Sequence, residues 1–232
     1  MTLDEALDAL RAAADPTRTP GMARVGINVE RALGVSVPAI RRIARRAGTD
    51  HRLARALWTT GIHEARFLAT LVADPAAMTD REMDRWAQDL DSWDVGDAAA
   101  DLFAATPSRD AKIASWSRSE LPYVKRAAFA MIARRAVSDR TASDAAFRRY
   151  LATIRRAAHD DRNEVRKGIS WALRQIGKRN LALHADAVAT AERIAAEAER
   201  SGSRGGRWVA RDVLRELRSD AVRARLGAGR RR

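Results

Sequence analysis

The 232-residue sequence contains no cysteine. Disulfide stapling, thiolate zinc sites, iron–sulfur clusters and a cysteine nucleophile are therefore excluded from the outset. No apolar run comes near the ~20 residues that a membrane-spanning helix requires. The opening MTLDEALDALRAAADP has acidic residues where a secretory signal has a basic segment, so no signal peptide is expected. There is no G-x-x-x-x-G-K-[ST] phosphate loop, no nucleophile elbow, and no H-x-E with P-C-x-x-C of the zinc deaminases. The four histidines, His51, His63, His159 and His184, are not at metal-ligand spacings. Neither a metal nor a cofactor is expected, and His63, in GIHEAR, reads as a helix-end or packing residue. Period-2 alternation is nowhere sustained, which argues against sheets.

Hydrophobic residues make up 46% of the chain, enough for a substantial core, and mean hydropathy is −0.39. A soluble cytoplasmic protein is expected. Charge is the unusual feature: 43 basic against 30 acidic residues give +13 and a pI near 11.3. Only Lys112, Lys125, Lys167 and Lys178 are lysines; the other basic residues are arginines. Residues 218–232 hold six arginines and one aspartate, which leaves +8 on the rest of the chain. The excess lies mostly in the folded part, and a polyanion is the expected partner.

Apolar residues recur at i, i+3, i+4 and i+7 over 3–14, 40–47, 53–59, 64–73, 147–158, 170–176 and 209–217. Ser36 and Pro38 open a helix that Gly48 closes, Thr79-Asp80-Arg81-Glu82 matches a capping box, Ser92 precedes a helix, and Pro122 falls in the first turn of 121–135. About twelve helices with links of ~2–6 residues are predicted. The fold class is all-α, and pairs of 35–45 residues are compatible with a HEAT-like solenoid, a plain globular bundle being the alternative. A single domain over 1–226 is expected, with a basic disordered tail at 227–232.

Three segments carry candidate chemistry. In Asp91-Ser92-Trp93-Asp94-Val95-Gly96-Asp97, Trp93 and Asp97 are four apart and share a helix face. The plainer reading makes Trp93 core, Asp94 a dipole partner and Asp97 a solvated charge. In 161–180, Lys167, Trp171, Arg174 and Lys178 fall at i, i+4, i+7 and i+11, a cationic stripe with an indole that suits a phosphate backbone. The competing reading is a core tryptophan flanked by snorkelling cations. In 121–129, Lys125 and Arg126 oppose the dipole of their own helix, which points to an external anion holding them. Arg41, Arg42, Arg45 and Arg46 on one helix, and Arg204, Arg207 and Arg211 around Trp208, are further basic groups.

Over roughly residues 20–220 the chain resembles the AlkD-like family of DNA alkylation repair glycosylases. The motifs are SWDVGD (92–97), YVKRAAF (123–129), VRKGISWALRQIGKRN (165–180) and, more weakly, ALGVSVPAIRRIA (32–44). The resemblance implies a single-domain superhelix of HEAT-like antiparallel helix pairs whose concave basic groove grips double-stranded DNA. It implies hydrolysis of the N-glycosidic bond of cationic N3- and N7-alkylated purines, without base flipping, by a monomer in base excision repair. It assigns Trp93, Trp171 and Asp97 to the lesion's deoxyribose and Arg126 to a nearby phosphate. Lys125, Lys167, Arg174, Lys178, Arg41, Arg45, Arg207 and Arg211 are the further candidate DNA contacts. A tyrosine that some members carry falls at Val25, and Gly96 lowers helix propensity by ~1 kcal/mol relative to alanine.

A purine alkylated at N3 or N7 already carries positive charge and leaves as a neutral base. No general acid is needed, unlike ordinary glycoside hydrolysis with its two carboxylates. One carboxylate, Asp97, suffices to stabilise the oxocarbenium-like sugar and orient water, and the two indole faces add cation–π attraction of ~0.5–2 kcal/mol each. Uncharged lesions such as uracil are not expected to react. The alternatives are a non-catalytic HEAT-like module binding DNA or RNA and a protein–protein scaffold.

Overall fold

Helix boundaries follow local capping chemistry. The structure, a computed structural model, describes residues 1–228. Thr2 opens α1 (Leu3–Ala12) with a capping box to Glu5. A single 3-10 turn, Pro16–Arg18, leads into α2 (Thr19–Arg24). Ser36 caps α3 (Val37–Ala47), and Gly48 ends it at a φ of +68°, as the sequence predicts. Asp50 caps α4 (His51–Thr59), and α5 (His63–Val72) follows. Thr79 and Glu82 form the expected capping box on α6 (Asp80–Gln88). Next come α7 (Trp93–Ala104), α8 (Arg109–Trp116) and α9 (Pro122–Ser138), the last with its proline in the first turn. The chain continues through α10 (Asp144–Ala157), α11 (Asn163–Gly177), α12 (Leu181–Ser201), α13 (Arg204–Leu217) and α14 (Asp220–Ala228).

Fourteen α-helices and no strand are present among the described residues, two helices more than the periodicity predicts. The additions include α2. α2 is too short to display a period and buries no residue. α14 takes in residues 227 and 228, assigned from sequence to the tail; residues 229–232 lie outside the described residues. One link is far longer than the expected 2–6 residues: 25–36 runs between α2 and α3 without regular structure.

Contacts group the chain into two compact units, one of Met1–Arg109 and one from Asp110 onward. In the first, α1, α3, α5 and α7 pack each against the next, with α4 on α5. The buried indoles of Trp58 and Trp86 stack with ring centres 4.1 Å apart. Asp89 accepts from Trp58 Nε1 at 2.9 Å, so the one polar atom of that core ring is satisfied.

The long 25–36 link is fixed from beneath by one carboxylate. Glu64, fully buried in the first turn of α5, accepts the main-chain N–H groups of Leu33 and Gly34 at 2.8 Å and of Val35 at 3.2 Å. Gly34 sits at a φ of +79°, and a Cβ there would lie 2.0 Å from the Asp15 carbonyl oxygen, so only glycine fits.

In the second unit α9, α11 and α13 form a row, with α10 and α12 packed on one another and on α11. α9 is alanine-rich and buried on almost every side, which allows α11 to approach closely. Gly168 permits that approach: a Cβ there would meet Arg126 Cγ at 3.3 Å and the Arg126 carbonyl oxygen at 3.4 Å. Arg135, buried in α9, is satisfied by Asp110 at 3.0 Å, Asp139 at 3.2 Å and the Tyr150 hydroxyl. Burial, together with the bond to Asp110, pushes the Tyr150 phenol up to about 12.

Candidate functional site

The two residues that the SWDVGD motif singles out, Trp93 and Asp97, lie one turn apart at the start of α7 in the first unit. Both are half-buried, so Trp93 is not a sealed core residue. Its indole Nε1 donates to the main-chain oxygen of Val25 at 3.0 Å. Val25 itself is 59% exposed and contributes its carbonyl, not its side chain, to the site. Ser92, expected simply to precede the helix, occupies the N-cap position but makes no side-chain capping bond; its hydroxyl accepts the Asn28 N–H at 2.9 Å.

Asp94 stands in the first turn of α7, where a carboxylate complements the helix dipole. One of its oxygens accepts the Val95 N–H and the other meets His63 Nε2 at 2.9 Å. His63 is the first residue of α5, a helix-end residue as the sequence suggests. Burial depresses its pKa, but the hydrogen bond and charge of Asp94, with the charges of Glu64 and Asp91, outweigh this and raise it above 6.5. A raised folded-state pKa means that the pair's stabilisation is complete below the ordinary histidine value and is lost as pH rises through the folded one. The melting temperature of the wild type should therefore fall between pH 6 and 8.5 more steeply than that of His63→Gln. Equal slopes for the two proteins would refute this assignment.

Behind this corner lies a polar cavity of about 200 Å³ lined by Asn28, Glu30, Arg31, Gly61, His63, Arg66 and Asp91. Among the described residues no cluster of three or more His, Cys, Asp or Glu could hold a metal ion.

In the second unit the α11 stripe resolves into unlike members. Lys167 is exposed, with no ion pair among the described residues. Trp171 is half-buried, with the Arg134 guanidinium 5.5 Å from its ring centre. With the Gln175 amide oriented by its donors, its oxygen accepts from Trp171 Nε1 at 3.2 Å and from Lys178 Nζ at 3.3 Å. Arg174 and Lys178 are not free cations. Both reach Glu216 on α13, Lys178 at 2.6 Å, and Arg174 also lies 3.6 Å from Asp212. Burial would raise the Glu216 pKa, but the bonds from Lys178 and Arg174 hold it below the usual carboxylate range. A DNA phosphate at this end of the stripe would compete with a resident carboxylate.

Lys125 also departs from the expectation of an external anion. Asp160 meets it at 3.0 Å and binds Arg162 as well, and these cations outweigh burial to hold Asp160 well below its ordinary pKa. Arg126 is only 7% exposed; its Nη1 donates to the Glu164 carbonyl at 3.0 Å, and its side chain lies on Gly168, one turn before Trp171. Helical spacing shows which side chains share a face, but not which acids the next helix brings to it.

Arg41, Arg42, Arg45 and Arg46 on α3, and Arg207 and Arg211 on α13, are exposed and make no ion pair among the described residues. Arg204 pairs with Asp161 at 3.4 Å. The Arg166 guanidinium lies 4.9 Å from the Trp208 ring centre, a contact that sequence spacing does not reveal because the two residues are on different helices. The clasp around Trp93, the buried Glu64 and the Arg134–Trp171 contact were equally hidden, each depending on distant partners.

No curated protein matches the chain significantly. Among solved structures it is similar to a member of "a new family of proteins related to the HEAT-like repeat DNA glycosylases with affinity for branched DNA structures", with a TM-score of 0.74, 20% identity and 83% of each chain covered. At that identity the likeness establishes a shared HEAT-like helical fold. Residues 6–217 match the family described as DNA alkylation repair enzyme. The match spans nearly the whole chain, from α1 to the end of α13, and takes in Trp93, Asp97, Arg126 and Trp171. This chain belongs to the DNA alkylation repair enzyme family.

Proposed function

We propose that the protein is a monofunctional alkylpurine DNA glycosylase that hydrolyses the N-glycosidic bond of cationic N3- and N7-alkylated purines in duplex DNA without flipping the base. The observation that carries this reading is the pairing of Trp93 and Asp97, one turn apart on α7 and both partly open to solvent, in a chain of this family. Asp97 stabilises the positive charge that develops on the deoxyribose and orients the attacking water. The resemblance assigns the indole faces of Trp93 and Trp171 to that deoxyribose, where each would add cation–π attraction. The base departs neutral, so the absence of a second catalytic carboxylate from the motifs costs nothing. Arg126 is assigned to a phosphate beside the lesion. The exposed cations Lys167, Arg41, Arg45, Arg207 and Arg211 are assigned to the duplex backbone, and Lys125, Arg174 and Lys178 contribute only where phosphate displaces their acids.

The test is incubation with duplex DNA carrying a single N7-methylguanine, followed by assay for free base and abasic sites. Stoichiometric release is expected, with no release of uracil from a matched duplex; no free methylguanine would overturn the reading. Affinity for duplex DNA should fall linearly on a log–log plot against salt, and Arg41→Ala or Arg45→Ala should each reduce the slope by about one.

A second reading is non-catalytic binding of DNA, favoured by the affinity for branched DNA ascribed to the structural neighbour. It predicts preference for forked or four-way DNA over linear duplex, with no base released.

A further inference from the structure

Trp93 stands at the first position of a helix whose own cap has been diverted. α2 ends in a tight turn: Ile27 N–H returns to the Met22 carbonyl at 3.2 Å and Gly26 N–H to Ala23 at 2.9 Å, with Gly26 at a φ of +83°. This turn leaves the Val25 carbonyl without a helical donor, at the negative end of the helix, where it receives the Trp93 indole N–H. Three residues on, Asn28 uses three separate groups. Its main-chain N–H goes to Ser92 Oγ and its Nδ2 to Asp91 Oδ2, each at 2.9 Å, while its Oδ1 accepts the Glu30 N–H at 3.0 Å.

The diversion of Ser92 is the informative part. A serine in this position ordinarily accepts an N–H of its own helix, a bond whose loss costs ~1 kcal/mol. Here the fully buried Ser92 hydroxyl instead receives a residue 64 positions away. Natural sequences break such local rules where something else depends on the result. α2 has no buried residue, so side-chain burial does not hold the Val25 carbonyl against the indole. The bonds from Asn28 to Asp91 and Ser92 tie the segment to the start of α7.

We infer that Asn28 is a positioning residue for Trp93: by latching the turn after α2 to the residues before α7, it holds the Val25 carbonyl on the indole N–H and so sets the plane of the ring. The inference rests on the glycosylase reading for its catalytic consequence but not for its structural content. An aromatic face stabilises a sugar cation only when aimed at it, and a misplacement near 1 Å is enough to cost about a hundredfold in rate.

The experiment uses the full chain with ¹⁵N-labelled tryptophan, the Trp93 indole resonance being assigned with Trp93→Phe. In Asn28→Ala, hydrogen exchange at the Trp93 indole should quicken about tenfold while the other five indoles are unchanged. Single-turnover release of N7-methylguanine should slow about tenfold, with Kd for the same duplex within twofold of wild type. Asp91→Ala, which removes the partner of the Asn28 amide at an exposed position, should reproduce the effect at smaller size and decides the matter if Asn28→Ala fails to fold. Unchanged Trp93 exchange in both variants overturns the latch, as does equal loosening of all six indoles. If the wild type releases no base, the glycosylase reading fails, and the exchange measurement still decides whether the latch exists.

Discussion

Asp97→Asn should lower single-turnover release of N7-methylguanine by about a hundredfold to a thousandfold while shifting Kd for the same DNA by less than about threefold. The asparagine is nearly isosteric and retains an oxygen for a water or a neighbouring donor. It lacks the negative charge, and in the proposed mechanism charge is the contribution that matters. The ground-state deoxyribose is neutral, whereas the transition state carries positive charge. The carboxylate therefore acts on the barrier and hardly at all on binding. Loss of one preorganised electrostatic partner of this kind typically costs about 3–4 kcal/mol, or two to three orders of magnitude. Trp93→Ala should cost less, since cation–π attraction supplies only ~0.5–2 kcal/mol. A variant that releases base within tenfold of the wild-type rate would remove Asp97 from the reaction. Tighter binding through relief of charge repulsion with phosphate would be consistent with the mechanism.

The second large effect is on stability. Glu64→Ala should lower the melting temperature by about 10–20 °C. The substitution strips the acceptor from three main-chain N–H groups, those of Leu33, Gly34 and Val35, in a region where Gly34 and Val35 are buried. An unsatisfied buried donor costs ~1–3 kcal/mol, so a total near 3–6 kcal/mol is expected. At this chain length each kcal/mol corresponds to roughly 2–4 °C. Glu64→Gln retains one oxygen and should lie between alanine and wild type. By contrast Arg42→Ala, on the exposed face of α3, should stay within about 0.5 kcal/mol. A Glu64→Ala protein that melts within 3 °C of wild type would show that the 25–36 link finds other acceptors.

These two residues also show how unevenly the site could be read in advance. Asp97 was legible because its relation to Trp93 is local: a four-residue spacing on a helix puts both on one face whatever surrounds them. Glu64 was not, because nothing in His63-Glu64-Ala65-Arg66 distinguishes a first-turn glutamate facing solvent from one holding a loop some 30 residues earlier in the chain. The cationic stripe of α11 was half legible. Its spacing located Lys167, Trp171, Arg174 and Lys178 on one side of the helix, but Glu216 and Asp212, which engage the two cations at its far end, belong to α13. The ion pair of Lys125 was hidden for the same reason, its partner Asp160 lying in the link between α10 and α11.

What the amino-acid order determined alone was the helical character, most helix ends, the net basicity and the shared face of Trp93 and Asp97. Each arises from interactions within about four residues, where backbone geometry leaves few alternatives. Only the tertiary structure decided which arginines and lysines remain available to an anion, which carbonyl holds the Trp93 indole, and why Ser92 does not cap its own helix. Those outcomes depend on groups about 35 to 70 positions apart, and a hydrogen bond or ion pair over that separation leaves no periodic trace in the chain. The packing of one helix against the next selects the partner.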